Sequence, residues 1–265
     1  MHTTAQLVQV DQGADASPTI GRHSQLARGF AVLEALVDGP KTASDIARRL
    51  DVNRSTSLRL LEELRGLGYV ARDADTKHYA RVSARIWALV AGGPDHLDWS
   101  EMVDPILSDV RNEFAEATVL GVPANGAMVY MAFFSSPHPV AVSERLGTVR
   151  PMHCSAIGKA YLASLGPKAL DFELGTLTYT GGTDRAARGP MELRERLDEI
   201  RQQGYSVDRD ETAIGATCVA VPVWIGDSLI GAAGISGPTS RLPEDRIEAA
   251  AKYLVAKFEL LRKSG

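Results

Sequence analysis

Residues 54–70 read Arg54-Ser55-Thr56-Ser57-Leu58-Arg59-Leu60-Leu61-Glu62-Glu63-Leu64-Arg65-Gly66-Leu67-Gly68-Tyr69-Val70. Ser57, Leu60, Leu61 and Leu64 recur at the spacing of one helical face, while Ser55, Leu58, Arg59 and Glu62 fall on the opposite one. The spacing predicts a helix over 54–66, with Gly68 closing the unit. Asp51-Val52-Asn53 is a short turn before it, and Thr42 opens a preceding helix. The Thr42 hydroxyl can cap that helix, with Asp45 three residues on and Ile46, Ala47 and Leu50 as its buried stripe. Further back, Ala27, Phe30, Leu33 and Val37 mark a first helix over 24–38, stopped by Gly39-Pro40. Downstream, 69–72 and 78–82 predict two short strands around a turn at 73–77. Three helices followed by such a hairpin describe a winged helix-turn-helix.

In that arrangement the second helix braces the third, which lays Arg54, Ser55, Thr56, Leu58 and Arg59 into a DNA major groove. Arginine can donate two bonds to guanine, hydroxyls bond phosphates or base edges, and a leucine can touch a thymine methyl. Thr42 and Ser44 begin the bracing helix, and Lys77 and His78 at the wing tip suit a neighbouring phosphate or minor groove. The same pattern also fits a small core with a solvated arginine face, or a winged helix used for protein contacts.

The chain of 265 residues predicts two domains. Its charge is divided: residues 22–92 carry 12 Lys/Arg against 8 Asp/Glu, and residues 93–265 carry 17 against 23. A basic module joined to an acidic one confines a nucleic-acid contact to one end. The longest apolar runs, such as 218–225, are too short to cross a bilayer, and no secretory signal is evident at the start. Cys154 and Cys218 lie far apart, which argues for a reducing compartment and a cytoplasmic protein without membrane partners. Residues 1–23 lack periodicity and read as a disordered tail, 24–82 as the DNA-binding domain, 83–98 as a linker helix and linker around Gly92-Gly93-Pro94, and 99–265 as a second domain.

The second domain reads as α/β. Val103, Ile106, Val110 and Phe114 mark a helix over 99–116. Strands are expected at 118–123 and 127–134, flanking Asn125-Gly126, and at 140–146. A helix of small residues follows over 155–165, and another through Leu193, Leu197 and Ile200 ends at Gly204. A second hairpin, 218–225 with 228–236, turns at Gly226-Asp227, and a last helix starts at Pro243.

Several of these stretches together resemble the IclR family of bacterial transcriptional regulators. The similarity lies in Ala43-Ser44-Asp45-Ile46-Ala47-Arg48-Arg49-Leu50, in 54–61 with Leu64 and Leu67-Gly68-Tyr69-Val70, in Pro151-Met152-His153-Cys154-Ser155-Ala156-Ile157-Gly158-Lys159-Ala160, in Gly215 and Cys218-Val219-Ala220-Val221-Pro222-Val223, and in Ile235-Ser236-Gly237-Pro238. The resemblance covers residue 24 to the end. One departure is that members usually put Val where Ser57 stands and a polar or aromatic residue where Leu58 stands.

The resemblance implies a GAF-like α/β effector domain that binds small, often acidic metabolites and builds a homodimer or homotetramer on a roughly palindromic operator. It carries the family's polar effector contacts onto Asp208, Cys218 and Ser236, with Gly234 where some members have a second serine. Asp208 stands in an acidic stretch with Asp210 and Glu211, a kind of run that is usually solvated, and precedes by a loop the strand that Cys218 begins; Gly234 removes a hydroxyl and adds room for a bulkier ligand. Met152, His153, Cys154, Ser155 and Ala156 would form a wall, and the amides of Ser155 to Gly158 a carboxylate seat at a helix N-terminus. No cofactor, metal or catalytic residue is implied. The competing expectation is a small-molecule enzyme or metal-binding protein built on His153, Cys154, Asp208 and Cys218, the winged helix then serving protein contacts.

Overall fold

The computed structural model describes residues 24–37, 39–81 and 99–264, which form two compact units within 24–81 and 99–264. The expected tail over 1–23, the linker helix and linker over 83–98, Asp38 and Val82 lie outside the described residues.

The first unit contains α1 (Gln25–Ala35), α2 (Ala43–Arg49), α3 (Arg54–Gly66) and the hairpin β1 (Val70–Arg72) with β2 (Tyr79–Arg81). Each helix starts on a side-chain cap: Ser24 receives the Ala27 N–H at 3.0 Å and Asn53 the Thr56 N–H at 2.8 Å. At α2 the box is reciprocal. The Thr42 hydroxyl receives the Asp45 N–H at 3.2 Å, and the Asp45 carboxylate receives the Thr42 N–H at 3.1 Å. Aspartate thus does the work of the longer Glu or Gln.

Val32, Ala35, Leu36, Ile46, Leu60, Leu61, Val70 and Tyr79 form the core of this unit. Two ties fix it. The Ser57 hydroxyl, fully buried, donates to the Ala43 carbonyl at 2.7 Å and locks α3 onto α2. Lys41 and Tyr79 exchange backbone hydrogen bonds of 2.9 and 2.8 Å, so the chain before α2 acts as a third strand beside the wing. The α1 stripe differs from expectation. Phe30 is 60% and Val37 48% exposed, and Val32, Ala35 and Leu36 face inward instead. The helix carries two apolar stripes, and contact with α3 decides which is buried.

The second unit is one antiparallel six-stranded sheet between two helical layers. Its elements are α4 (Trp99–Phe114), β3 (Ala117–Ala124), β4 (Ala127–Phe134), β5 (Val149–Pro151), α5 (Ala156–Ala163), α6 (Pro167–Thr176), α7 (Pro190–Gln203), β6 (Ser206–Arg209), β7 (Ala216–Ile225), β8 (Ser228–Pro238) and α8 (Glu244–Ser264). The strand order is β5-β4-β3-β8-β7-β6. Asn125 and Gly126 both take positive φ, 49° and 76°, at the β3–β4 turn. Alternate strand residues serve opposite cores: Leu120, Val219, Val221, Ala233 and Ile235 pack under α4 and α8, and Val119, Ala220 and Ala232 under α5, α6 and α7.

Two expectations fail here. Residues 140–146 form no strand, because β5 already pairs with the free edge of β4, Met128 opposite Arg150. And Asp208 does not precede β7 in a loop. It lies in β6, whose inward residues Ser206 and Asp208 are polar and so hide the usual alternation.

Candidate functional site

In the first unit α3 presents Arg54, Ser55 and Arg59 to solvent. The Ser55 hydroxyl donates to Asn53 at 2.8 Å, and Arg59 reaches Gln25 at 3.4 Å and Glu63 at 3.7 Å, exposed partners that are easily exchanged. Thr56 is half-buried. So is Leu58, which packs against the core, so its freedom to reach a base edge is less than the sequence suggests. Thr42 is spent on the α2 cap, while Ser44 is exposed. At the wing, Lys77 takes a positive φ of 59° and its ammonium donates to the Ala74 carbonyl, while His78 contacts the Thr76 carbonyl through Nδ1 at 3.0 Å.

In the second unit the register across the sheet builds a row. Asp208 is opposite Cys218, Cys218 opposite Ser236, and the next rung pairs Ala220 with Gly234. The Cys218 thiol donates to the Ser236 hydroxyl at 3.1 Å. These residues share the face covered by α5. Ser155 caps α5, receiving the Gly158 N–H at 3.2 Å and donating to the Pro151 carbonyl at 2.7 Å. Asp208, Cys218, Gly234 and Ser236 on one side, and Ser155, Ala156 and Ile157 on the other, line a cavity of about 30 Å3. Tyr130, Glu144, Arg150 and Thr212 line it too. Sequence reasoning missed these four; Arg150 and Glu144 come from an edge strand and an irregular segment that no motif marks.

Asp208 is not solvated, contrary to the reading that acidic runs usually are. It is 2% exposed, and one of its oxygens receives the N–H groups of Glu211 and Thr212 at 2.8 and 3.2 Å. Burial pushes its carboxyl upward, opposed by the Thr212 hydroxyl and the Lys159 ammonium. Lys159, itself buried, donates to the Val207 carbonyl at 2.8 Å and to Glu211. Glu211 also receives Arg196 at 2.8 Å. A compensated charge cluster therefore stands behind the cavity.

Met152, His153, Cys154 and Gly158 are buried but do not line the cavity. His153 leans on the Tyr179 ring, centroids 5.6 Å apart, and burial lowers its basicity. Burial and the Asp208 carboxylate push the Cys154 thiol up to about 12, the opposite of an activated nucleophile. Among the described residues no three His, Cys, Asp or Glu side chains gather as metal ligands. Gly158 is demanded by packing: a Cβ would stand 2.4 Å from the Met152 Cα. At Gly234 a Cβ would stand 2.1 Å from the Val219 carbonyl oxygen. This overturns the idea that Gly234 gives extra room for ligand; the neighbouring strand requires it.

A DNA-reading head and a separate small-molecule unit define a one-component regulator, and comparison with known proteins gives its family. Residues 25–74 match the IclR helix-turn-helix domain and residues 94–258 the bacterial transcriptional regulator IclR C-terminal domain. The chain belongs to the IclR family of transcriptional regulators. It is 27% identical to the HTH-type transcriptional regulator KdgR of Escherichia coli over 85% of this chain and 86% of that protein. It is 27% identical to the transcriptional repressor IclR of the same organism over 87% and 86%. An IclR homolog from Microbacterium hydrocarbonoxydans, complexed with 4-hydroxybenzoate, superposes with a TM-score of 0.73 at 28% identity, covering 91% of this chain and 100% of that one.

Proposed function

We propose that this regulator binds a roughly palindromic operator as a homodimer or homotetramer, and that a small acidic metabolite held in the cavity changes its operator affinity. Arg54, Ser55 and Arg59 of α3 read the major groove, Thr56 and Leu58 support the helix face, Ser44 and the α2 N-terminus meet phosphates, and the wing tip with Lys77 and His78 lies on the adjacent backbone. Leu26 and Phe30, 73% and 60% exposed on α1, support a partner copy packing there. The protein acts in the cytoplasm with its DNA, and binding rather than catalysis is its chemistry.

The observation that carries the reading is the Asp208–Cys218–Ser236 row facing the capped N-terminus of α5 across one cavity. The helix end receives a carboxylate, and the row receives a hydroxyl or keto oxygen, since like charge keeps a carboxylate from Asp208. Ligand shifts DNA affinity only if it favours one arrangement of the two heads. The test is calorimetry of Ser236→Ala and Asp208→Ala with pyruvate and 4-hydroxybenzoate as probes, beside a titration of a labelled fragment of the promoter region. Weaker ligand binding with ligand-free DNA affinity retained is expected. Variants that bind the probes as tightly as the parent would place the pocket elsewhere.

A further inference from the structure

The cavity wall holds one ion pair whose purpose the fold does not explain. Arg150, on the edge strand β5, and Glu144, on the irregular segment before it, are bonded to each other beside the Tyr130 hydroxyl. Their side chains are 21% and 8% exposed, although most residues of 137–147 are exposed. Among the described residues lining the cavity, Arg150 is the only cation. We infer that Arg150 shares the ligand carboxylate with the N-terminal end of α5, and that Glu144 is the resident stand-in on Arg150, displaced when an acidic ligand enters. This rests on the cavity being the effector site.

Volume is the first argument. About 30 Å3 holds little more than a water molecule, so a wall must move before any organic acid fits. Most of the wall is strand or helix, fixed by backbone hydrogen bonds. Segment 141–144 differs. Upstream, Arg241 holds the Val140 carbonyl at 2.7 Å, and downstream Gly147 and Thr148 exchange backbone bonds with Tyr130 at 2.8 and 2.9 Å. Between these anchors, among the described residues, no backbone–backbone hydrogen bond involves residues 141–144. Val142 and Glu144 are their contribution to the cavity wall, and the Arg150 pair is the polar tie.

Charge is the second argument. Leaving Arg150 buried without a partner is expensive, so a neutral ligand cannot take the place of Glu144. A carboxylate can, because it keeps the guanidinium paired and can add a second bond in the forked geometry that suits guanidinium and carboxylate. Exchange of one carboxylate for another releases Glu144 to water and frees 141–144 to swing away. Selection for acids and opening of the wall are then one event.

The test is chemical rescue on the full-length protein. Glu144→Ala leaves Arg150 without its counter-ion and 141–144 without that polar tie, so tryptic cleavage after the neighbouring exposed Arg145, followed by mass spectrometry, should speed up by about tenfold, the effect of losing one charged hydrogen bond. Acetate at high millimolar concentration should raise the melting temperature of Glu144→Ala more than acetamide with matched sodium chloride. The Glu144→Ala/Arg150→Met double variant should lose that difference. Glu144→Gln, which keeps the shape, guards against a folding defect and should respond to acetate in the same direction. The inference falls if acetate does no more than acetamide, or if cleavage after Arg145 is unchanged. Should rescue fail while Ser236→Ala and Asp208→Ala still weaken probe binding, the cavity reading survives and only the role of Arg150 is lost. Should rescue succeed while those variants bind the probes normally, Arg150 takes anions in a cavity that is not the effector site.

Discussion

Helix α3 and the floor of the cavity both carry polar side chains, in opposite ways. On α3, Arg54, Ser55 and Arg59 stand in water above an apolar core, with weak exposed partners. Around the cavity, Asp208, Lys159 and Glu211 are removed from water and satisfied by one another and by backbone. The first arrangement is cheap to hold and free to change partners, as a DNA-reading surface must be. The second is costly to hold and fixed in geometry, as a selective small-molecule site must be. Substitutions on α3 should therefore cost binding without stability, and substitutions behind the cavity should cost stability first.

The largest test of that contrast is Lys159→Met. It leaves the buried Glu211 and Asp208 carboxylates facing each other with Arg196 as the remaining cation, and should destabilise the second unit by about 3–5 kcal/mol in urea unfolding. A loss below about 1 kcal/mol would mean that the cluster is as weak as a surface pair. Next come Arg54→Ala and Arg59→Ala, each expected to weaken operator binding by about 1–3 kcal/mol while the unfolding curve stays in place. Unchanged operator affinity in Arg59→Ala would show that the wrong face of α3 has been assigned. Lys77→Ala should weaken all DNA sequences alike and lower the salt slope by about one.

Ser57→Ala reverses the rule within α3 itself. Its hydroxyl is the buried tie to Ala43, so the variant should lose about 1 kcal/mol of stability, read by denaturant midpoint. The smallest effect is a slope with pH. Burial raises the Asp208 carboxyl in the folded state, and Glu211 moves the same way for the same reason. As pH rises through the ordinary carboxylate range the unfolded chain gives up these protons first, so stability falls until the folded groups ionise as well. Asp208→Asn, which can still accept the Glu211 and Thr212 N–H groups, should flatten that slope; an unaltered slope would assign it to other groups.

The sequence by itself determined the elements of the reading head and, in the second unit, the two hairpins β3–β4 and β7–β8 and the helices α4, α5, α7 and α8. The bounds of α3, the cap at Thr42 and the Asn125-Gly126 turn follow from periodicity, local hydrogen bonding and positive φ, which act within a few residues of chain. Within the helices, the apolar spacing also gave Ile46, Leu60 and Leu61 as core. Only the tertiary structure decided which stripe of α1 is buried, since both are apolar and the choice belongs to α3. It alone made β6 a strand, because Ser206 and Asp208 turn inward against the hydropathy rule while their backbone pairs with β7. It also joined Glu144 and Arg150 to the cavity and took Cys154 and His153 out of it. Whether a polar side chain is buried depends on what compensates it, and those compensating groups come from other strands and helices that local sequence does not name.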